Sequence, residues 1–200
     1  MKRLLSVPAV LLMLAPASPA ATPTGWQTYR DEARGFAVSF PADWKPNPDY
    51  YDDDYPTSGE PPPRIHALAI APTADLQPGT TLDSTSVHIA IVPLPPFRSQ
   101  CAAWSFIAVP PPDFDSAFDV DTPDYAHVVG GDPGGWYTYE DYVWRISTTP
   151  CVGMHYTIGY HADGSDQAKG EKPFDRAKLL ALLDAIRGTV VLIPVHRVGQ

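Results

Sequence analysis

The chain has 200 residues, 44% of them hydrophobic, which is enough for a single domain with a sizeable apolar core. Its formal net charge of −9 argues against nucleic acid and anionic lipid surfaces as partners. Proline accounts for 24 residues, against a usual share of about 5%. Because proline interrupts helices, this composition argues against long helices.

The first 20 residues have the pattern of a secretory signal peptide. Lys2 and Arg3 give a positively charged start, and the apolar run that follows ends at Leu14. The small residues of Ser18-Pro19-Ala20 predict cleavage at residue 20, with Ala17 as the alternative. The apolar run is too short for a bilayer core of about 30 Å, and no cysteine lies at the cleavage site.

We therefore expect a mature chain at 21–200 that forms one domain and is periplasmic or secreted. It is expected to carry no transmembrane segment and no lipid anchor. In an oxidising compartment its two cysteines, Cys101 and Cys151, most simply form one disulfide.

Residues 26–44 predict a β-hairpin at the start of the mature chain. Phe36, Val38 and Phe40 alternate with smaller residues, which is typical of a strand with one buried face. Gly35 suits the tight turn before this strand, and Pro41 ends it because proline has no N–H to donate.

Residues 45–63 are rich in proline and lack apolar periodicity, so they predict an exposed loop. Asp52, Asp53 and Asp54 could attract a cation there. Calcium needs six to eight oxygens at fixed positions, which adjacent carboxylates in a loop rarely supply. A solvated acidic loop is the favoured interpretation.

Two strands are predicted next, at 65–71 and 84–92. In the second, alternate residues fall on two faces, one expected in the core and the other more exposed. The core face is predicted to hold Val87, Ile89 and Ile91, and the exposed face His88, Ala90 and Val92.

Residues 97–125 give the weakest pattern. Residues 99–108 fit either a short helix or an irregular strand. Four carboxylates then follow at Asp113, Asp115, Asp119 and Asp121. They lack the central glycine and closing glutamate of a calcium loop, so an acidic surface segment is favoured over a metal site.

A glycine-rich turn at 130–135 precedes a run of aromatic residues, and a clear strand follows at 152–162. The aromatic residues could hold a ligand or a partner, but cross-strand packing is the favoured interpretation. They are Trp136, Tyr137, Tyr139, Tyr142 and Trp144.

A final helix is predicted between a capping Asp175 and a terminating Gly188. Its apolar stripe consists of Leu179, Leu180, Leu183 and Ile186. Residues 189–195 are expected to return to the sheet as a last strand.

No catalytic set is evident in the sequence, and no cofactor is predicted. His155 and His161 would lie about 20 Å apart along one strand, so they cannot share a metal. His88 could meet one of them across neighbouring strands, although exposed histidines are the simpler interpretation. The metal question is therefore left open, with His88, His155 and the two aspartate segments as the candidates.

Both ends of the mature chain resemble PsbP/Mog1-like domains, a family found in many small secreted bacterial proteins. At the late end the resemblance rests on WYTYEDYVW, MHYTIGY and the final helix. In the opening hairpin it rests on Trp26, Tyr29, Gly35, Phe36, Phe40, Pro41 and Trp44.

The resemblance implies an α+β fold, in which a twisted, mainly antiparallel β-sheet packs against a C-terminal helix as in the α/β/α sandwich of that family. PsbP and Mog1 act as accessory or binding proteins, which implies a non-enzymatic envelope protein with a protein partner. The alternative is a small exported hydrolase or metal-dependent enzyme using Asp and His residues. A convergent His–carboxylate cluster would favour the enzyme, and a filled sheet face without a pocket would favour the binding protein.

Overall fold

The computed structural model describes residues 22–52, 65–93, 101–106, 117–131, 134–162 and 170–194. These residues form two antiparallel sheets, one α-helix and one 3-10 helix at Ala103–Phe106. The elements are β1 (Trp26–Asp31), β2 (Phe36–Pro41), β3 (Trp44–Asp52), β4 (Ile65–Pro72), β5 (Leu82–Pro93), β6 (Ala117–Asp121), β7 (Tyr125–Gly131), β8 (Tyr137–Thr148), β9 (Cys151–His161), α1 (Arg176–Arg187) and β10 (Val191–Leu192). The predicted signal peptide lies outside the described residues.

The larger sheet has seven strands in the order β3-β4-β5-β9-β8-β7-β6, and the smaller has the order β1-β2-β10. Every pair of neighbouring strands within these sheets is antiparallel. The mainly antiparallel sheet with a late helix, predicted from the sequence, is confirmed.

The opening hairpin is confirmed over residues 26–41, whereas Trp44, the end of the predicted stretch, begins β3 of the larger sheet. Gly35 has a φ of +81°, which allows the turn to close, and its N–H donates to the Asp31 carbonyl at 2.9 Å. The Arg34 guanidinium lies 2.8 Å from the Asp31 carboxylate and donates to the Pro48 carbonyl at 2.8 Å. Arg34 thereby joins the hairpin turn to β3.

The loop predicted at 45–63 is wrong for residues 45–52, which form most of β3. This strand pairs with β4 and lies at the edge of the larger sheet. An edge strand can hold prolines such as Pro46 and Pro48, because one of its sides needs no ladder donors. The pairing register shifts between Asn47 and Tyr50, next to the second proline. Residues 53–63 lie outside the described residues.

The main hydrophobic core lies between one face of the larger sheet, the smaller sheet and α1. Asp175 caps α1 by accepting the Lys178 N–H at 2.9 Å, and Gly188 follows its last residue, so both predicted boundaries are confirmed. The fully buried residues of this core include Phe36, Val38, Phe40, Trp44, Leu68, Ile70, Ile89, Ile91, Met154, Tyr156, Ile158, Leu179, Leu183 and Ile186.

The opposite face of the larger sheet is also covered, which corrects the prediction of an exposed face on β5. Ala90 and Val92 are both fully buried in a second core. The 3-10 helix covers this face and buries Phe106 against Gly153 of β9. In the described part of the chain this layer is a 3-10 helix, so the second α-helical layer of an α/β/α sandwich is not established.

The predicted disulfide is confirmed. Cys101 and Cys151 are bonded, with their Cα atoms 5.8 Å apart. Cys101 precedes the 3-10 helix and Cys151 begins β9, so the bond fastens the covering segment to the centre of the sheet. A helix or strand at 99–108 was the prediction, and the 3-10 helix occupies the described part of that range.

Two further strands depart from the sequence prediction. β7 was not predicted, and it continues through Gly131 into the range assigned to the glycine turn. β6 contains Asp119 and Asp121, which were placed in an acidic surface segment, whereas Asp113 and Asp115 lie outside the described residues. The last strand, predicted at 189–195, is present only at Val191–Leu192 and pairs with β2 in the smaller sheet. The described part of the chain has no helix that is long and apolar enough to cross a bilayer.

We expect Gly153→Ala to destabilise the protein. A Cβ atom at this position would lie 2.3 Å from the Phe106 ring, so the 3-10 helix would have to move from the sheet. Overpacking of this kind costs about 1–3 kcal/mol of the free energy of unfolding. Urea denaturation would measure the loss.

Gly188→Ala is the matched control. At Gly188 φ is −61° and a Cβ atom would lie 3.4 Å from the nearest carbonyl oxygen, an ordinary contact. We expect little change in this variant. Equal stability of both variants would contradict the close packing of Phe106 on Gly153.

Candidate functional site

A buried carboxylate in the larger sheet gathers polar contacts from several elements. Glu140 of β8 has only 2% of its side chain exposed. Its Oε1 accepts the Tyr160 hydroxyl at 2.7 Å and lies 2.6 Å from Nη2 of Arg176. Its Oε2 accepts the Tyr142 hydroxyl at 2.6 Å. Residues of β8, β9 and α1 therefore converge on one carboxylate.

A histidine completes this group, which we call the Glu140 cluster: Glu140, Tyr142, Tyr160, Arg176 and His127. Nε2 of His127 lies 3.4 Å from Oε2 of Glu140, and its ring stacks on Tyr142 with centroids 4.2 Å apart. A carboxylate only accepts hydrogen bonds, so this ring nitrogen is the donor. His127 is itself buried, with 8% of its surface exposed.

The two phenols of the cluster are held in their protonated form. Burial raises the pKa of Tyr142, and the hydrogen bond and charge of Glu140 raise it further. The pKa of Tyr160 is raised by the same causes in the same order. Both hydroxyls therefore remain donors to the carboxylate over the physiological pH range.

A cleft of about 340 Å³ opens beside the cluster, and we call it the Arg176 cleft. Its lining brings together the first turn of α1, the segment before it and the ends of three strands. The lining residues are Thr81, Thr138, Tyr160, Ala162, Pro173, Phe174 and Arg176. The Arg176 side chain is 46% exposed, so it extends from the buried carboxylate to the solvent.

A second cleft of similar size, about 330 Å³, lies next to it and has the opposite electrostatic character. Asp75, Asp83 and Glu171 line it together with His161. Burial tends to raise the pKa of Asp83, but hydrogen bonds from Thr85, Ser86 and Tyr137 outweigh this and hold the pKa below its usual value. We call this the acidic cleft.

An aromatic row extends from the Glu140 cluster along the same face of the sheet. Trp144 packs on Tyr156 with ring centroids 4.4 Å apart and on Tyr125 at 5.2 Å. Arg187 covers Trp144 at 4.5 Å and donates to the Tyr156 hydroxyl at 3.1 Å. Cross-strand packing, the favoured interpretation of the predicted aromatic run, is confirmed for Trp144, whereas Trp136 is 49% exposed.

The structure brings together one pair of the predicted metal candidates. β5 and β9 are neighbours, and the rings of His88 and His155 lie 6.0 Å apart in a perpendicular arrangement. His161 lies instead beside the ring of Tyr137 at 5.7 Å. Among the described residues no three His, Cys, Asp or Glu side chains are placed to hold a metal ion. Asp52 ends β3, whereas Asp53 and Asp54 lie outside the described residues.

Sequence reasoning did not single out Glu140, Arg176 or His127. A usable signal existed for Glu140, because it alternates with Tyr142 and Trp144 on one face of a strand otherwise rich in aromatic residues. A lone glutamate in such a stripe needs buried donors. Its partners lie 20 and 36 residues further along the chain, so the pattern could not name them.

Comparison with known proteins leaves the family unassigned. No family model matches the chain, and no curated protein matches it. The solution structure of cyanobacterial PsbP from Synechocystis sp. PCC 6803 is similar over 88% of this chain and 98% of that chain, with a TM-score of 0.35 and 9% identity. This similarity is too low to transfer a residue role or an activity. Membership of the PsbP/Mog1-like family stays a prediction.

We expect Glu140→Gln to lower the free energy of unfolding by about 2–3 kcal/mol. The amide keeps the side chain's shape but loses the charge that Arg176 and two phenols share, and hydrogen bonds to charged groups contribute about 1.5–3 kcal/mol. Denaturant titration at pH 7 would measure the change. Glu171→Gln is the control, because Glu171 is exposed; losses of the same size in both variants would contradict a special role for Glu140.

We expect stability to fall as the pH drops from about 6.5 to 4.5, partly because of His155. Burial, together with the charge of the nearby His88, lowers the pKa of His155 to about 3. The unfolded chain takes up a proton near pH 6.5 while the folded chain does not, so acidification favours unfolding by up to about 1.4 kcal/mol per pH unit.

His155→Gln should flatten the stability profile in this pH window, measured by thermal melting at half-unit steps. His66→Gln is the control, since the side chain of His66 is 45% exposed. A slope that is the same in the wild type and in His155→Gln would show that other groups cause the acid sensitivity.

Proposed function

We propose that this chain is an exported, non-enzymatic binding protein of the bacterial cell envelope, built on a PsbP/Mog1-like domain. A convergent His–carboxylate pair and an open cleft are both present, and these are the features named above as favouring an enzyme. The observation that carries the binding proposal is that this pair is buried and engaged. Glu140 already has three close donors, and the side chain of His127 is only 10% exposed. The exposed group at this place is Arg176.

The hydrogen bonds that Glu140 already accepts argue against its use as a general base. A general base must come within about 2.6–3.2 Å of the proton that it removes from a substrate. Tyr142, Tyr160 and Arg176 occupy that distance around both carboxylate oxygens. In this arrangement Glu140 positions Arg176 and the tyrosines, and binding is the activity that the cleft can offer.

Export is supported by two independent features of the chain. The first 20 residues have the charged start, apolar run and small residues of a signal peptide. The Cys101–Cys151 disulfide is typical of a protein that folds in an oxidising compartment. The proposed accessory role rests on the resemblance of both chain ends to PsbP/Mog1-like domains.

The second candidate is a small exported hydrolase or a metal-dependent enzyme. The 3.4 Å approach of His127 to Glu140 is the specific observation in its favour, because a carboxylate that orients a histidine is a frequent catalytic arrangement. The burial of both side chains is the reason for ranking it second.

The test uses the full chain, expressed with its leader in a bacterial host. We expect the periplasmic fraction to contain a protein whose mass corresponds to a start at Ala21, with both cysteines bonded. That protein should hydrolyse p-nitrophenyl acetate and p-nitrophenyl phosphate no faster than its His127→Gln variant, with or without added zinc, manganese or magnesium.

Two results would overturn the proposal. Retention in the cytoplasm with the leader uncleaved would refute export. Turnover that is lost in both His127→Gln and Glu140→Gln, but kept in His66→Gln, would establish the enzyme instead.

A further inference from the structure

We propose that the Arg176 cleft binds a small organic acid, in which a single carboxylate is attached to a planar apolar group. This inference rests on the proposed binding function and assigns a ligand class to it. It draws on the free donors of Arg176, on the aromatic wall of the cleft, and on the contrast with the neighbouring acidic cleft.

Arg176 has donors left for a ligand after its own contacts are made. Nη2 lies 2.6 Å from Glu140 and donates to the Tyr160 hydroxyl at 3.2 Å. A guanidinium has five N–H groups, so three remain on Nε and Nη1, and these make none of the contacts described for Arg176. Both paired edges of a guanidinium include an N–H of Nη2, so the remaining N–H groups on Nε and Nη1 offer single, charge-assisted hydrogen bonds to a carboxylate oxygen.

The position of Arg176 is unfavourable for the helix itself. It is the first residue of α1, where the positive end of the helix dipole disfavours a cation, and the first turn contains no acidic residue. Glu140 supplies the compensating charge from the sheet. Charge compensation also raises the pKa of Arg176 against the opposing effect of its partial burial, so the guanidinium stays charged.

The wall of the cleft next to the guanidinium is aromatic. The rings of Tyr160 and Phe174 lie 5.2 Å apart, and Cζ of Arg176 lies 5.6 and 5.8 Å from their centres. A planar apolar group can pack on this wall while its carboxylate meets Arg176. Thr81 and Thr138 add hydroxyl groups to the lining, and a volume of about 340 Å³ is within the range of small-molecule sites.

The charge of the cleft favours a monoanion. Glu140 offsets much of the charge of Arg176, and Arg176 is the one cation among the described residues that line the cleft. A phosphate, with nearly two negative charges, would be less well compensated. The overall charge of −9 does not prevent the contact, because exposed charges are screened beyond about 10 Å at ordinary ionic strength.

The experiment titrates the mature protein with phenylacetate and with phenylacetamide, its uncharged isostere, and follows the amide signals by ¹H–¹⁵N NMR. We expect phenylacetate to bind at least tenfold more tightly, and the shifted signals to include Thr138, Tyr160 and Ala162. The carboxylate and aromatic ring could belong to a free acid or to the C-terminus of a peptide. N-acetylphenylalanine, which mimics a peptide C-terminus, is therefore titrated in parallel. Tighter binding of phenylacetate indicates a free acid, and tighter binding of N-acetylphenylalanine indicates a peptide.

Two variants locate the binding without removing Arg176. Ala162→Phe fills the Arg176 cleft and should weaken phenylacetate at least tenfold. Ala74→Phe, the matched control, places the same ring in the acidic cleft and should leave binding unchanged. The Glu140 cluster is intact in both, and an unchanged pattern of distant amide signals confirms the fold. Arg176→Lys, which loses the free N–H donors on Nε and Nη1, should weaken the acid and leave the amide unaffected.

The ligand assignment fails if phenylacetate binds no better than phenylacetamide, or if Ala162→Phe and Ala74→Phe bind it equally well. Neither result bears on the proposed function, which fails only on leader retention or on turnover that depends on His127 and Glu140. The two failures are therefore distinguishable.

Discussion

The arrangement of helix and sheet depends on the requirement that a buried carboxylate be satisfied. Burial of an isolated charge costs far more than a protein's net stability, so Glu140 is tolerated only with donors in place. Those donors come from β8, β9 and the first residue of α1. The start of the helix is thus fixed to the sheet by a charge pair with phenols on both oxygens.

The far end of α1 repeats the arrangement. Arg187 pairs with Asp184, donates to the Tyr156 hydroxyl and covers Trp144. Arg176 meets Tyr160 and Arg187 meets Tyr156, so the helix runs against the direction of β9. Between these two contacts, the leucine stripe of α1 packs into the main core. Hydrophobic burial provides the attraction, and the two arginines fix the direction and register of the helix.

The sequence was most informative where structure is decided locally. The hairpin at 26–41 and the helix from Asp175 to Gly188 were predicted with their boundaries, because alternation, turn glycine and capping residue all lie within a few positions of each other. β3 was missed because its prolines exclude a central strand but not an edge strand, and edge position depends on the whole sheet. The buried second face of β5 was missed for a related reason: its cover is the 3-10 helix at Ala103–Phe106, and the pattern at 99–108 fitted either a helix or a strand.

The candidate site was the least predictable part because its members lie far apart in the sequence. His127, Glu140, Tyr160 and Arg176 come from four separate elements, and none stands in a motif. What the sequence offered was a conflict at two positions: a glutamate within an aromatic stripe, and an arginine where a helix favours an acid. The two residues pair with each other, so each supplies the opposite charge that the other needs. Two residues of opposite charge, each at a position that its local structure disfavours, are therefore a useful signal for a site that contains no sequence motif.

The net charge of a protein helps to predict partners that contact its whole surface, but not ligands that contact one cleft. A polyanion such as nucleic acid meets the whole acidic surface, so the overall charge argues against it. A ligand that fits within one cleft contacts only the side chains that line it, because salt screens the effect of more distant charges. Here two adjacent clefts of nearly equal volume differ in sign, with Arg176 in one and three carboxylates in the other. The proposed selection of a small anion therefore depends on the lining of the Arg176 cleft, where Glu140 holds Arg176 in place while offsetting part of its charge.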